Sequence, residues 1–121
     1  MGNRQNAYVH AWARVTVAGG AAAMAADSGD WDATTPVTYN GAGDTTLLLA
    51  ATRGADPGER VVLITAAETL AASGVAAWGY TQGANPDLQI QVTSFQEQAA
   101  GAASIAVDLS YHIAILGSPS A

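Results

Sequence analysis

The strongest constraint in this chain is a strict alternation near its end. At residues 105–115 the odd positions read Ile105, Val107, Leu109, Tyr111, Ile113 and Ile115, and the even ones Ala106, Asp108, Ser110, His112 and Ala114. Successive side chains on a strand point to opposite faces, so a period of two predicts one strand with a buried face and a wet face. Residues 88–92 repeat the pattern, with Leu88, Ile90 and Val92 inward and Gln89 and Gln91 outward. Residues 60–65 hold the unbroken run Val61-Val62-Leu63-Ile64, the pattern of a strand covered on both sides. Residues 45–52, 75–81 and 36–40 add further extended segments, the last closed by the turn signal Asn40-Gly41. Residues 8–17 carry a thin aliphatic face (Val9, Ala11, Ala13, Val15, Val17) and an aromatic and polar one (Tyr8, His10, Trp12, Arg14, Thr16).

Turn-rich clusters at 27–29, 40–44, 54–58, 83–87 and 99–103 separate these segments. Short strands at this spacing predict an all-β fold, an antiparallel β-sandwich, jelly-roll-like or Ig-like, of about seven or eight strands. Residues 18–26 are small and broken by glycine, and read as a loop. Helix competes at 66–74 and 96–103. The 121 residues are expected to form one domain, 1–121, with loose tails at about 1–7 and 117–121.

Composition narrows the function classes. Ten acids face four arginines and no lysine, giving a net charge of −6. Such a chain is not expected to follow a phosphate backbone, so no nucleic-acid partner is predicted. Absence of cysteine excludes disulfides, thiolate metal sites and a cysteine nucleophile. No run approaches the roughly 18–20 apolar residues of a membrane-spanning helix, so no membrane insertion is predicted. The first six residues lack the basic-then-apolar run of a signal peptide, so synthesis in a cytoplasm is expected.

Catalytic chemistry is thin. His10 and His112 occupy polar-face strand positions, with no G-x-S-x-G elbow to partner them. They read as histidines facing solvent or a partner. Neither an enzyme nor a cofactor is expected. Asp27, Asp30 and Asp32 fall within six residues and offer calcium oxygen ligands, but the closing glutamate of an EF-hand is missing. The competing reading is a polar loop whose aspartates cap turns. Trp12 with Tyr8, and Trp78 with Tyr80, form aromatic rows that suit a core, a subunit interface or a sugar ring. Trp31, inside the aspartate cluster, is the candidate for an exposed tryptophan. Tyr8, His10, Trp12, Arg14, Trp31, Trp78 and Tyr80 are the candidate interface or ligand residues.

Three stretches carry a resemblance: AWARVTVAGG, VTYNGAGDTTLLLA and LQIQVTSFQEQAAGAASIAVDLSYHIAIL. Trp12, Arg14 and Val15 match the first motif. Val37, Thr38, Asn40, Gly41, Gly43, Asp44 and Leu47 match the second. Ile90, Val92, Thr93, Gly101, Val107, Asp108 and Ser110 match the third. Together they resemble small β-sandwich domains of tailed-phage tail fibres and other virion surface proteins; residues 18–32 and 66–77 match poorly. The resemblance implies a virion structural or attachment role at the particle surface. It also implies synthesis in the host bacterium, homotrimers, and contacts with other virion proteins or a host-surface glycan.

The residues point the same way on self-association. Charge is concentrated in turns (Asp27, Asp30, Asp32, Asp44, Asp56, Glu59, Asp87), and strand surfaces carry Thr, Ala, Gln and Ser. Sheet edges are normally guarded by lysine and other charges. Unguarded ones predict a surface that meets other copies. The alternatives are a carbohydrate-binding module using Trp12, Trp31, Trp78 and Tyr80, and a subunit of a bacterial filament or shell.

Overall fold

In a computed structural model the described residues are 8–50, 60–67, 76–82, 89–96 and 105–117. Among them are nine strands and no helix: β1 (Tyr8–Ala18), β2 (Ala21–Gly29), β3 (Val37–Gly41), β4 (Asp44–Leu48), β5 (Val61–Ala66), β6 (Ala76–Gln82), β7 (Gln89–Gln96), β8 (Ile105–Ala106) and β9 (Tyr111–Gly117). They make two antiparallel sheets, the architecture of a small β-sandwich. The first has the order β2-β1-β9-β5. The second has the order β3-β4-β7-β6, with β8 also on β7.

The inner faces follow the alternation. Ala11, Ala13, Val15 and Val17 of β1 are buried together with Ile113 and Ile115 of β9. Leu47 of β4 and Ile90 and Val92 of β7 belong to the same cluster in the second sheet. Small residues on β1 facing larger ones let two twisted sheets interdigitate at interior density. A buried hydrogen bond also joins the sheets, with Thr45 Oγ1 2.6 Å from Tyr111 Oη.

Four expectations need correction. Residues 18–26 are not a loop. Gly19 (φ 61) and Gly20 (φ 78) turn the chain, and 21–29 return as β2 beside β1. Two glycines at positive φ suit the two-residue hairpin that matches strand twist. The β3–β4 turn falls on Ala42-Gly43 rather than Asn40-Gly41. Gly43 has φ +66, and a Cβ there would lie 2.5 Å from the Ser94 carbonyl oxygen, so only glycine fits. Residues 105–115 are not one strand. Ile105–Ala106 pair with β7, 107–110 cross between the sheets, and β9 begins at Tyr111 in the other sheet. Ile105 is therefore exposed, while Leu109 onward keeps the predicted burial of odd positions. Finally, 60–65 is not covered on both sides. In sheet order β5 is an edge, and Val61 and Leu63 are half exposed on its outer side.

The crossings are pinned by specific contacts. After β2, the backbone of 30–32 pairs with 48–50, including Asp32 N–H to Leu48 O at 2.9 Å and Ala50 N–H to Asp30 O at 2.7 Å. Between β8 and β9, Asp108 Oδ1 accepts from Tyr39 Oη and Gly43 N–H, both at 3.0 Å. Ser94 Oγ donates to Val107 O at 2.7 Å, and Val17 N–H donates to Ser110 Oγ at 3.0 Å. These bonds satisfy backbone that leaves one ladder before joining another. Of the helix alternatives at 66–74 and 96–103 and the expected tails at 1–7 and 117–121, Ala66, Gln96 and Gly117 are the last residues of β5, β7 and β9. Residues 68–74, 97–103, 1–7 and 118–121 lie outside the described residues, as does Leu88.

Burial pushes the Tyr111 phenol up to about 12, and the Thr45 hydrogen bond offsets only part of that rise. The unfolded phenol ionises near 10.0. The unfolded state therefore loses its proton first. Stability fully present below that pH is lost as pH rises toward the folded value, by up to roughly 1.4 kcal/mol per pH unit. With no lysine in the chain, tyrosines dominate titration in this window. Tyr111→Phe is expected to cost about 1 kcal/mol at neutral pH and to flatten the alkaline loss. Urea midpoints from about pH 8 to 12 measure both effects.

Candidate functional site

Most of the chemistry-bearing side chains serve the fold. His10 is buried, not on a polar face. A bulge in the β1–β9 register between Val9 and Ala11 makes it the extra residue, so it turns inward alongside Ala11. Trp31 is not exposed. It packs in the core at 8 % exposure, bridged to Leu49, and its Nε1 donates to the Trp12 carbonyl at 3.0 Å. The indole thus closes the end of the sandwich where β2 crosses to β3. Trp78 of β6 is partly buried against the core, and Tyr80, two residues on, is about 41 % exposed.

The aspartates do not converge. Asp27 is in β2, Asp30 follows it, and the Asp32 carboxylate accepts from the N–H groups of Thr35 at 2.7 Å and Thr34 at 2.9 Å. Those two bonds hold the Asp32 carboxyl below the usual carboxylate value. Among the described residues no three His, Cys, Asp or Glu side chains gather as a metal would need. The calcium alternative therefore lacks a site there. Desolvation, and then the Asp108 carboxylate, raise the Tyr39 phenol. That bond is structural, since Asp108 also holds the β3–β4 turn.

What remains is the outer surface of each sheet, and the two differ. On the β3-β4-β7-β6 sheet the outward positions are mainly Thr38, Thr46, Gln91, Thr93 and Asp44, with Phe95 near one end. They bond to one another. Gln91 Nε2 donates to Asp44 Oδ1 at 2.9 Å, and Asn40 Nδ2 donates to Thr46 Oγ1 at 2.7 Å. This is a polar face suited to water.

The outer face of the β2-β1-β9-β5 sheet is apolar across three strands. Register places Val61, Leu116 and Val9 in one row, and Leu63, Ala114 and Trp12 in the next. Rows on one face lie about 7 Å apart, so the two rows touch. Val9, Trp12, Val61 and Leu63 are exposed by 38–55 %. The third row reads Thr65, His112 and Arg14, and the Trp12 indole stacks on the His112 ring (centroids 6.4 Å apart, planes at 20°). Trp12, Leu63, Thr65, His112, Ile113 and Ala114 line a shallow depression of about 220 Å³.

Of the residues proposed from sequence, the structure brings Trp12 and Arg14 to this face and sends His10 and Trp31 inward. Trp78 and Tyr80 lie in the other sheet. Tyr8 pairs through its backbone with Gly117, and its side chain lies outside the described set. The face also includes Val9, Val61, Leu63, His112 and Leu116, which the sequence reading did not name as site residues.

Trp31→Phe removes a buried indole hydrogen bond and part of the core's end wall, and is expected to cost about 2–3 kcal/mol in chemical denaturation. Trp12→Ala loses only half-exposed contacts and is expected to cost about 1 kcal/mol. An equal loss for the two would contradict this assignment of core and surface.

In comparisons with protein-family models, with curated proteins and with solved structures, nothing matches the chain.

Proposed function

We propose that this chain is a non-enzymatic structural subunit that works in assembled copies, of the kind that builds the surface of a tailed-phage particle, with three copies to an assembly. The observation that carries the assembly reading is the charge-poor sheet surface. The described strands contain only Arg14, Asp27 and Asp44 as charged residues besides the histidines His10 and His112. Isolated β-domains protect edges and faces with charge, because unpaired N–H and C=O groups and apolar faces recruit other chains. Asp27 and Asp44, expected in turns, lie in β2 and β4, whereas Asp30, Asp32 and Asp108 lie at crossings; the sparse acids repel at a distance without blocking contact. The phage setting and the count of three rest on the strand and turn motifs described above.

A non-enzymatic role is supported by where the polar groups go. Asp108, Tyr39, Ser110, Thr45, Tyr111 and Asp32 are each engaged in hydrogen bonds that join strands or hold turns. The filament alternative asks for a free N-terminal strand to donate. Here β1 is interior, paired with β2 on one side and β9 on the other.

Light scattering on the purified chain at about 1–200 µM is expected to give a defined oligomer, with three copies as the anticipated mass. A strict monomer at the upper concentration would remove the assembly reading.

A further inference from the structure

We infer that the outer face of the β2-β1-β9-β5 sheet, centred on Trp12, Leu63 and Val61, is the surface through which a second copy of this chain docks. The inference rests on the assembly reading above and names where the contact is made.

Three observations select this face and this occupant. The first is its chemistry. Among the described residues, four of the seven large hydrophobics that stand exposed, Val9, Trp12, Val61 and Leu63, share it, while Tyr80, Phe95 and Ile105 are on the other sheet. A half-exposed indole beside two aliphatic rows is the composition of an interface core. The Trp12 row is flanked on one side by Val61, Leu116 and Val9 and on the other by Thr65, His112 and Arg14, so an apolar centre meets a polar rim.

The second is charge. The chain carries −6, so copies repel except where acids are absent. Outward positions of this sheet carry Arg14 and His112 and no acid among the described residues. Asp27, exposed on the edge strand β2 of this same sheet, pairs with the inward Ala13 and so stands on the other side of it. Asp44 lies on the opposite face of the sandwich, and Asp30, Asp32 and Asp108 lie at the crossings. Among the described residues this is the face that presents a second acidic chain with no acid.

The third is area. Strands of 6 to 11 residues at about 4.8 Å spacing and 3.3 Å per residue give the face roughly 500 Å² in projection, and side-chain relief adds to that. Stable interfaces bury about 600–1,000 Å² on each partner. The whole sheet face, side-chain relief included, thus comes up to the lower end of that range. The run Val61-Val62-Leu63-Ile64 agrees. It is apolar on both sides, and one chain covers only the Val62 and Ile64 side.

The test compares the full chain with Leu63→Asp, Val61→Asp and the opposite-face control Thr38→Asp. Light scattering gives the mass across concentration, and circular dichroism checks the fold. Leu63→Asp and Val61→Asp are expected to raise the dissociation constant by about 100-fold or more, and Thr38→Asp to leave it unchanged. Should aspartate at Leu63 prevent folding, Leu63→Ser replaces it in the comparison. Folded face variants that keep the wild-type mass and midpoint would overturn this interface while leaving the assembly reading intact. A monomeric wild type would overturn both. So would a monomer whose tryptophan fluorescence responds to sugars and loses that response in Trp12→Ala, and it would favour carbohydrate binding.

Discussion

The packing of one inner sheet face against the other is the interaction on which everything else in this molecule depends. Ala11, Ala13 and Val15 of β1, with Ile113 and Ile115 of β9, lie opposite Leu47, Ile90 and Val92, and the paired hydroxyls of Thr45 and Tyr111 join the two layers between them. A two-layer sandwich buries two sheet faces in this way. This chain is apolar on three. Thr, Gln, Asn and Asp on the outer face of the second sheet make a wet surface, but Val9, Trp12, Val61 and Leu63 on the outer face of the first do not. The excess apolar face is a consequence of the fold and the source of the functional proposal.

The polar residues fit this division. They are spent where the chain changes sheets, because backbone there leaves a ladder and needs other partners. Asp108 holds the Gly43 turn and the Tyr39 hydroxyl. Ser110 takes the Val17 N–H. Trp31 fills the end of the sandwich and ties to the Trp12 backbone, so the buried indole helps fix the strand that presents the exposed one.

The alternation made the sandwich legible in the sequence, and it separated inward from outward residues along β7 and β9. It failed where a local backbone event intervened. The bulge at His10 reversed the parity of the start of β1, turning a polar-face residue inward and bringing Val9 out beside Trp12. The Gly19-Gly20 hairpin made a strand of an alanine-rich stretch whose small side chains carry no periodic signal. Trp31 was misread because a cluster of aspartates looks solvent-facing, whereas their carboxylates and backbone leave the indole free to enter the core. Half of the candidate face was legible through Trp12 and Arg14. The other half, Val61 and Leu63, was visible as a doubly apolar strand, but no sequence rule says whether the second cover comes from the same chain or from another.

Hydroxyl-radical footprinting, read residue by residue in dilute and concentrated protein, tests the central claim most directly. Trp12, Val61 and Leu63 are expected to become protected as the chain assembles, while Tyr80 and Phe95 stay as reactive as in the dilute state. Protection of Tyr80 and Phe95 with Trp12 and Leu63 still reactive would place the contact on the other sheet and contradict the account.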